Sequence, residues 1–184
     1  MSVSSGNVIV RSLKRKAVSA TPTASLNLGF LTVVQEGSAY VGGYLVTNVW
    51  GRPLEFRLTS AVQPNRVQQV LYAATLVPYV CADLIGKTLL DKAGVAVQAV
   101  VTDREAVLDL RLKVDLPVVF LNAQQEGQDG SSPLCGHRRF PEDAAAVRSL
   151  LGAAGAELDL AEPFARIREA IAEARKMGVT GRAA

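Results

Sequence analysis

The one histidine of this 184-residue chain stands two positions after one of its two cysteines, in SSPLCGHRRFPED (residues 131–143). Two chemistries would need that spacing. Cys135 and His137 can be two ligands of a metal, or a thiol with a base beside it, since side chains two apart on an extended chain project to the same side. Arg138 and Arg139 would favour the thiolate. Against a metal stands the ligand count: a zinc site takes about four ligands in paired clusters, and the other cysteine, Cys81, lies in a distant helical run. Against a nucleophile stands the base, which Cys–His enzymes take from elsewhere in the chain. The competing reading is a loop that ends where the helix beginning at Pro141 starts.

A second stretch offers contact surface. In GGYLVTNVWGRPLEF (42–56), paired glycines inside a strand mark a bulge or a close backbone approach. Asn48 and Gly51 suit a turn. Trp50, the sole tryptophan, then falls at a hairpin tip beside Arg52, either anchoring a partner or folded back over the sheet edge. Further on, Asn65, Arg66, Gln68, Gln69 and Tyr72 cluster at a helix start. That is either an anion site on the helix N-terminus, assisted by Arg66, or a solvated polar face. No glycine-rich nucleotide-binding motif accompanies it. The acid pairs Asp159 with Glu162 and Glu169 with Glu173 sit at helix caps and surfaces, where they serve helix electrostatics. The stretch GGYLVTNVWGRPLEF, followed by PNRVQQVLYAATLVPY (64–79), resembles a family of uncharacterised bacterial proteins over roughly residues 28–95. That resemblance implies no activity and marks no residue as catalytic.

These residues need elements to hold them. LGFLTVVQ and AYVGGYLVTN read as two strands about a turn at Gly37 and Ser38. In PLEFRL, Leu54, Phe56 and Leu58 alternate with Glu55 and Arg57, the period of a half-buried strand. The three make an antiparallel meander. Pro64 suits the first turn of a helix, with Val67, Val70, Leu71 and Ala74 as its apolar face. Pro78 predicts a break near 76–78. Val80, Leu84, Ile85 and Leu89 form a second face, and Gly94 a C-terminal stop. VAVQAVVT (95–102), a capping box from Thr102 to Glu105, a short helix, and VDLPVVFLNA make a βαβ unit with parallel strands. Residues 124–139 read as a polar loop. Two helices end the chain, the second with Phe164, Ile167 and Ile171 in one stripe, Asp159 and Glu162 at its cap, Pro163 in its first turn and Gly178 as its stop. Whether that stripe completes the core or docks on a partner is open, and core is favoured.

The predicted class is α/β: an antiparallel β-meander and a βαβ unit in one mixed sheet with packed helices, plus two C-terminal helices. The expected layout is an N-terminal arm (1–25), an α/β domain (26–123), a polar loop (124–140) and a C-terminal helical segment (141–184). All four charges before Glu36 are basic, Arg11, Lys14, Arg15 and Lys16, so the net +3 describes a tail. It can touch nucleic acid weakly, or serve only as a solvated leader. With 49% hydrophobic residues there is material for a core, but no uninterrupted apolar run of membrane-spanning length. Two separated cysteines make no disulfide framework. A cytoplasmic setting, no cofactor, no metal and no membrane are expected. The leading function is a non-catalytic adaptor or regulatory subunit of a bacterial assembly, with another protein or a second copy as partner. The alternatives are a small thiol or metal-assisted hydrolase using Cys135 and His137, or a nucleic-acid accessory protein.

Overall fold

Strands rich in β-branched and aromatic residues build a six-stranded mixed sheet in the order β3-β2-β1-β4-β5-β6. The structure, a computed structural model, describes residues 26–122, 134–155 and 158–178. The meander is β1 (Asn27–Glu36), β2 (Ala39–Asn48) and β3 (Pro53–Leu58), paired antiparallel. The βαβ unit adds β4 (Ala99–Thr102), parallel to β1, and β5 (Val118–Leu121), parallel to β4. A sixth strand, β6 (Leu134–Gly136), runs antiparallel to β5. It lies within the stretch expected to be a structureless loop.

Period-two alternation sends side chains to opposite faces, and both faces are covered. On one, Leu28, Phe30, Val41, Leu45, Val101 and Val119 pack against α4 (Asp143–Ala153) and α5 (Glu162–Lys176). Phe164, Ile167 and Ile171 are buried there, with Phe164 edge-on to Phe30 at 5.7 Å. The C-terminal stripe is therefore core. On the other face, Leu31, Val33, Tyr40, Tyr44 and Val100 pack against helical residues Val80, Cys81, Ile85 and Leu89. Gly42 and Gly43 explain how β2 can be sandwiched so tightly. A Cβ on Gly42 would lie 2.1 Å from Ile85 Cγ2, and one on Gly43 would lie 2.3 Å from Ile167 Cγ2, on the opposite face. The pair admits a helix on each side, the close approach that is one of the two expected readings.

Several local expectations are corrected. The first helix, α1 (Arg66–Tyr72), is capped by Asn65, and Pro64 lies before the cap. The break comes at Ala73, with φ 43°, where a 3₁₀ turn (Ala73–Thr75) interrupts the helix. It precedes Pro78, which ends the short resumed helix α2 (Leu76–Pro78), early enough that no intrahelical bond to its missing N–H is needed. A π-helical stretch (Tyr79–Gly86) and α3 (Lys87–Lys92) follow. Gly94 is no left-handed stop; the chain leaves α3 extended at Ala93. The strand expected over 95–102 is only four residues long. The helix after it is 3₁₀ (Glu105–Leu112), with Arg104 at its cap position and no side-chain cap; Thr102 Oγ1 accepts instead from the Arg104 N–H at 3.1 Å. α5 has Ala161 at its cap position, and Asp159 accepts from the Ala161 N–H at 2.8 Å. Pro163 and Gly178, with φ 75°, stand as expected.

The largest departure concerns the helical segment Arg66–Lys92. Only its second half packs on the sheet. α1 has no buried residue, and Val67, Val70 and Leu71 are 63%, 66% and 75% exposed. By length and composition alone, Arg66–Lys92 would suffice to cross a membrane, but its apolar residues from Val80 onward are spent on the sheet.

Candidate functional site

The cysteine–histidine pair comes apart at Gly136. Cys135 is exposed on β6, whereas His137 follows the strand and is buried. Its two ring nitrogens are engaged elsewhere: Nδ1 accepts from the Arg139 N–H at 3.1 Å, and Nε2 faces Asp109 Oδ1 at 3.4 Å. A ring that accepts at Nδ1 carries its proton on Nε2, toward Asp109 and not toward a thiol. Gly136 is required by the turn, since a Cβ there would meet the Phe140 carbonyl at 2.6 Å. The same loop is pinned by Arg111, whose Nε donates to Asp143 Oδ2 at 2.7 Å and whose guanidinium lies 4.0 Å from the Phe140 ring centre. Asp143, buried, also accepts from the Val118 N–H at 3.3 Å. Cys-Gly-His is thus a tight strand-to-helix connection. Among the described residues, no three of His, Cys, Asp and Glu cluster as a metal site would need.

The contact residues read from sequence fall at two ends of the sheet. Asn48 pairs with Asn27 at the start of β1, and Gln35, at its end, pairs with Tyr40, which bridges to Val62 just before α1. Ten residues of strand at about 3.4 Å each separate the ends by roughly 30 Å. At the first end, Asn48 Oδ1 accepts from the N–H groups of Trp50 (3.1 Å) and Arg52 (3.0 Å), and Gly51 has φ 73°. The Gly51 carbonyl accepts from Arg166 Nη1 at 3.0 Å. This fixed turn holds out Trp50, 83% exposed and not folded over the sheet edge.

At the second end the cluster around Arg66 resolves into helix chemistry. Asn65 Oδ1 accepts from the Gln68 N–H, and Gln68 Oε1 accepts from the Asn65 N–H, each at 2.9 Å. This capping box spends Asn65 and Gln68, two of the polar groups expected to receive an anion, while Arg66 stays exposed. Tyr72 stacks on Tyr79 at 4.0 Å. The exposed apolar side chains of α1, Val67, Val70 and Leu71 at i, i+3 and i+4, form one stripe. Arg11, Lys14, Arg15 and Lys16 lie outside the described residues.

Sequence reasoning missed Glu55. It reads as one polar tooth of an alternating strand, yet its carboxylate accepts from the Gly94 N–H (2.9 Å) and the Val95 N–H (2.8 Å), 39 and 40 residues on. Those hydrogen bonds, with Arg57 at 2.5 Å, hold its carboxyl below the usual carboxylate range, the Gly94 bond most of all. No local signal announces such a bond.

Also missed was a cavity of about 150 Å³ where β1 and β4 end, lined by Val33, Gln35, Tyr40, Val77, Cys81, Arg104, Glu105 and Ala106. Burial pushes the Cys81 thiol up to about 11, against the pull of Arg104. No protein-family model matches the chain, and no curated protein matches it.

Proposed function

We propose that the chain is a non-catalytic interaction subunit, an adaptor or regulator in a bacterial cytoplasmic assembly, and that α1 is its self-docking face. The carrying observation is the stripe of Val67, Val70 and Leu71, 63–75% exposed on a helix that buries nothing. Soluble domains leave single apolar side chains exposed without consequence; three contiguous ones on a projecting helix mark a contact. The occupant is a second copy. No charged residue lies between Arg66 and Asp83, so stripe can face stripe across a two-fold axis without like-charge repulsion. The stripe exposes a few hundred Å², less than the ~800 Å² each partner gives a standard interface, so the dimer is expected to be weak. Trp50, about 30 Å away by strand length, stays free for another protein, the two-ended arrangement an adaptor needs. Two free cysteines, one of them exposed, fit a reducing compartment.

The test substitutes Val67, Val70 and Leu71 together by Ser and measures molar mass by sedimentation equilibrium over 1–300 micromolar. The parent is expected to show a concentration-dependent dimer and the variant a monomer with an unchanged far-ultraviolet circular dichroism spectrum. A monomeric parent at every concentration, or a variant that dimerises equally, would overturn the reading. So would a parent that stays monomeric and instead partitions onto neutral lipid vesicles through the same stripe.

A further inference from the structure

We propose that the cavity at the ends of β1 and β4 binds a free α-amino acid with an apolar side chain. Its position is the first argument. The chain leaves β1 toward β2 and β3 on one side and returns to β4 on the other, so the carboxyl ends of parallel β1 and β4 flank a point where strand order reverses. Open α/β sheets bind ligands in that crevice.

The lining chooses the ligand. Arg104 is fixed at the rim by two bonds: its N–H donates to Thr102 Oγ1 at 3.1 Å, and its Nε donates to the Val33 carbonyl at 2.9 Å. That leaves both terminal guanidinium nitrogens for a carboxylate, which they match as a fork. Glu105, next along the chain and also lining the cavity, takes part in no ion pair among the described residues and offers the complementary charge for an ammonium. One cation and one anion side by side suit a zwitterion better than a simple acid or amine, either of which would meet a like charge. Val33, Val77, Ala106 and the Cys81 thiol form the apolar remainder. About 150 Å³ matches the volume of a cavity known to hold a benzene ring, so a branched or aromatic side chain fits and a nucleotide does not. This site is separate from the α1 stripe and does not depend on it.

Calorimetric titration of the full chain with L-leucine and L-phenylalanine, and with 4-methylpentanoate and isoamylamine as the two half-ligands, tests the proposal. At least one amino acid should bind in the micromolar to millimolar range, and each half-ligand about tenfold more weakly or worse. Glu105→Gln, an exposed position, should reduce the amino acid to the level of the carboxylate. Val77→Trp should fill the cavity and abolish binding while the thermal transition persists. The bound amino acid should also slow alkylation of Cys81 in a Cys135→Ser background. Absence of binding by every amino acid at 10 millimolar, half-ligands that bind as well as the whole, or binding undiminished in Val77→Trp would each overturn it.

Discussion

Glu55 shows how one side chain can join segments that sequence keeps far apart. Its carboxylate satisfies the Gly94 and Val95 N–H groups just beyond Ala93, the C-cap of α3, in place of the glycine stop expected there. Because folding holds its pKa below that of the unfolded chain, its contribution is complete above the unfolded-state pKa and is lost as pH falls through the folded one. Glu55→Gln is therefore expected to cost about 1 kcal/mol at pH 7, measured by urea unfolding, with the difference from the parent shrinking below pH 4. A gap that stayed constant down to pH 3 would mean the charge is not involved. The two cysteines make a second contrast at this scale. Cys81 is 3% exposed with its thiol raised to about 11 by burial, while Cys135 lies open on β6. One thiol per chain should react promptly with a disulfide reagent at pH 8, and Cys135→Ser should remove it. Cys135 and His137 are neighbours along the chain, but one is exposed on β6 and the other is buried with both ring nitrogens engaged by other residues. Their separation depends on where β6 stops, and a three-residue strand held by β5 leaves no periodic signal to read.

Among the elements, those with strong periodicity were legible and those dependent on distant partners were not. The alternation in Pro53–Leu58 predicted the strand but not its covered face, since Leu54 and Phe56 are 44% and 41% exposed while Glu55 is half-buried, whereas the stripe of α5 predicted its buried face correctly. Phe164 lies against Phe30 in the core, so Phe164→Ala should lower stability by about 3–5 kcal/mol without altering molar mass; a loss under 1 kcal/mol would take α5 out of the core. The segment Arg66–Lys92 misled because both halves carry helical apolar spacing and only one finds a sheet. Period tells which side of a helix is apolar, not what will cover it. The 3₁₀ turn at Ala73 divides the halves, and the glycines of β2 decide which half can approach: Ile85 sits over Gly42 where a side chain would exclude it. Glycines 42 and 43 signalled a close approach in the sequence, but the need for one helix on each face appears only once both faces are built.

For the whole molecule, the mixed sheet with helices on both faces follows from the order of strong elements, and the sixth strand was the one addition. The function does not follow from that order, because the same architecture carries many activities. What distinguishes this chain is an apolar stripe left uncovered at one end and a lone tryptophan at the other. The claim that the stripe pairs with itself is tested most directly by a cross-link. In a Cys135→Ser background, Val70→Cys puts a thiol at the middle of α1, where a two-fold axis would bring the two copies together. Mild oxidation at 50 micromolar should yield a covalent dimer, and adding Val67→Ser and Leu71→Ser should suppress it. A chain that remains monomeric after oxidation, with its introduced thiol still free to react, would contradict the account.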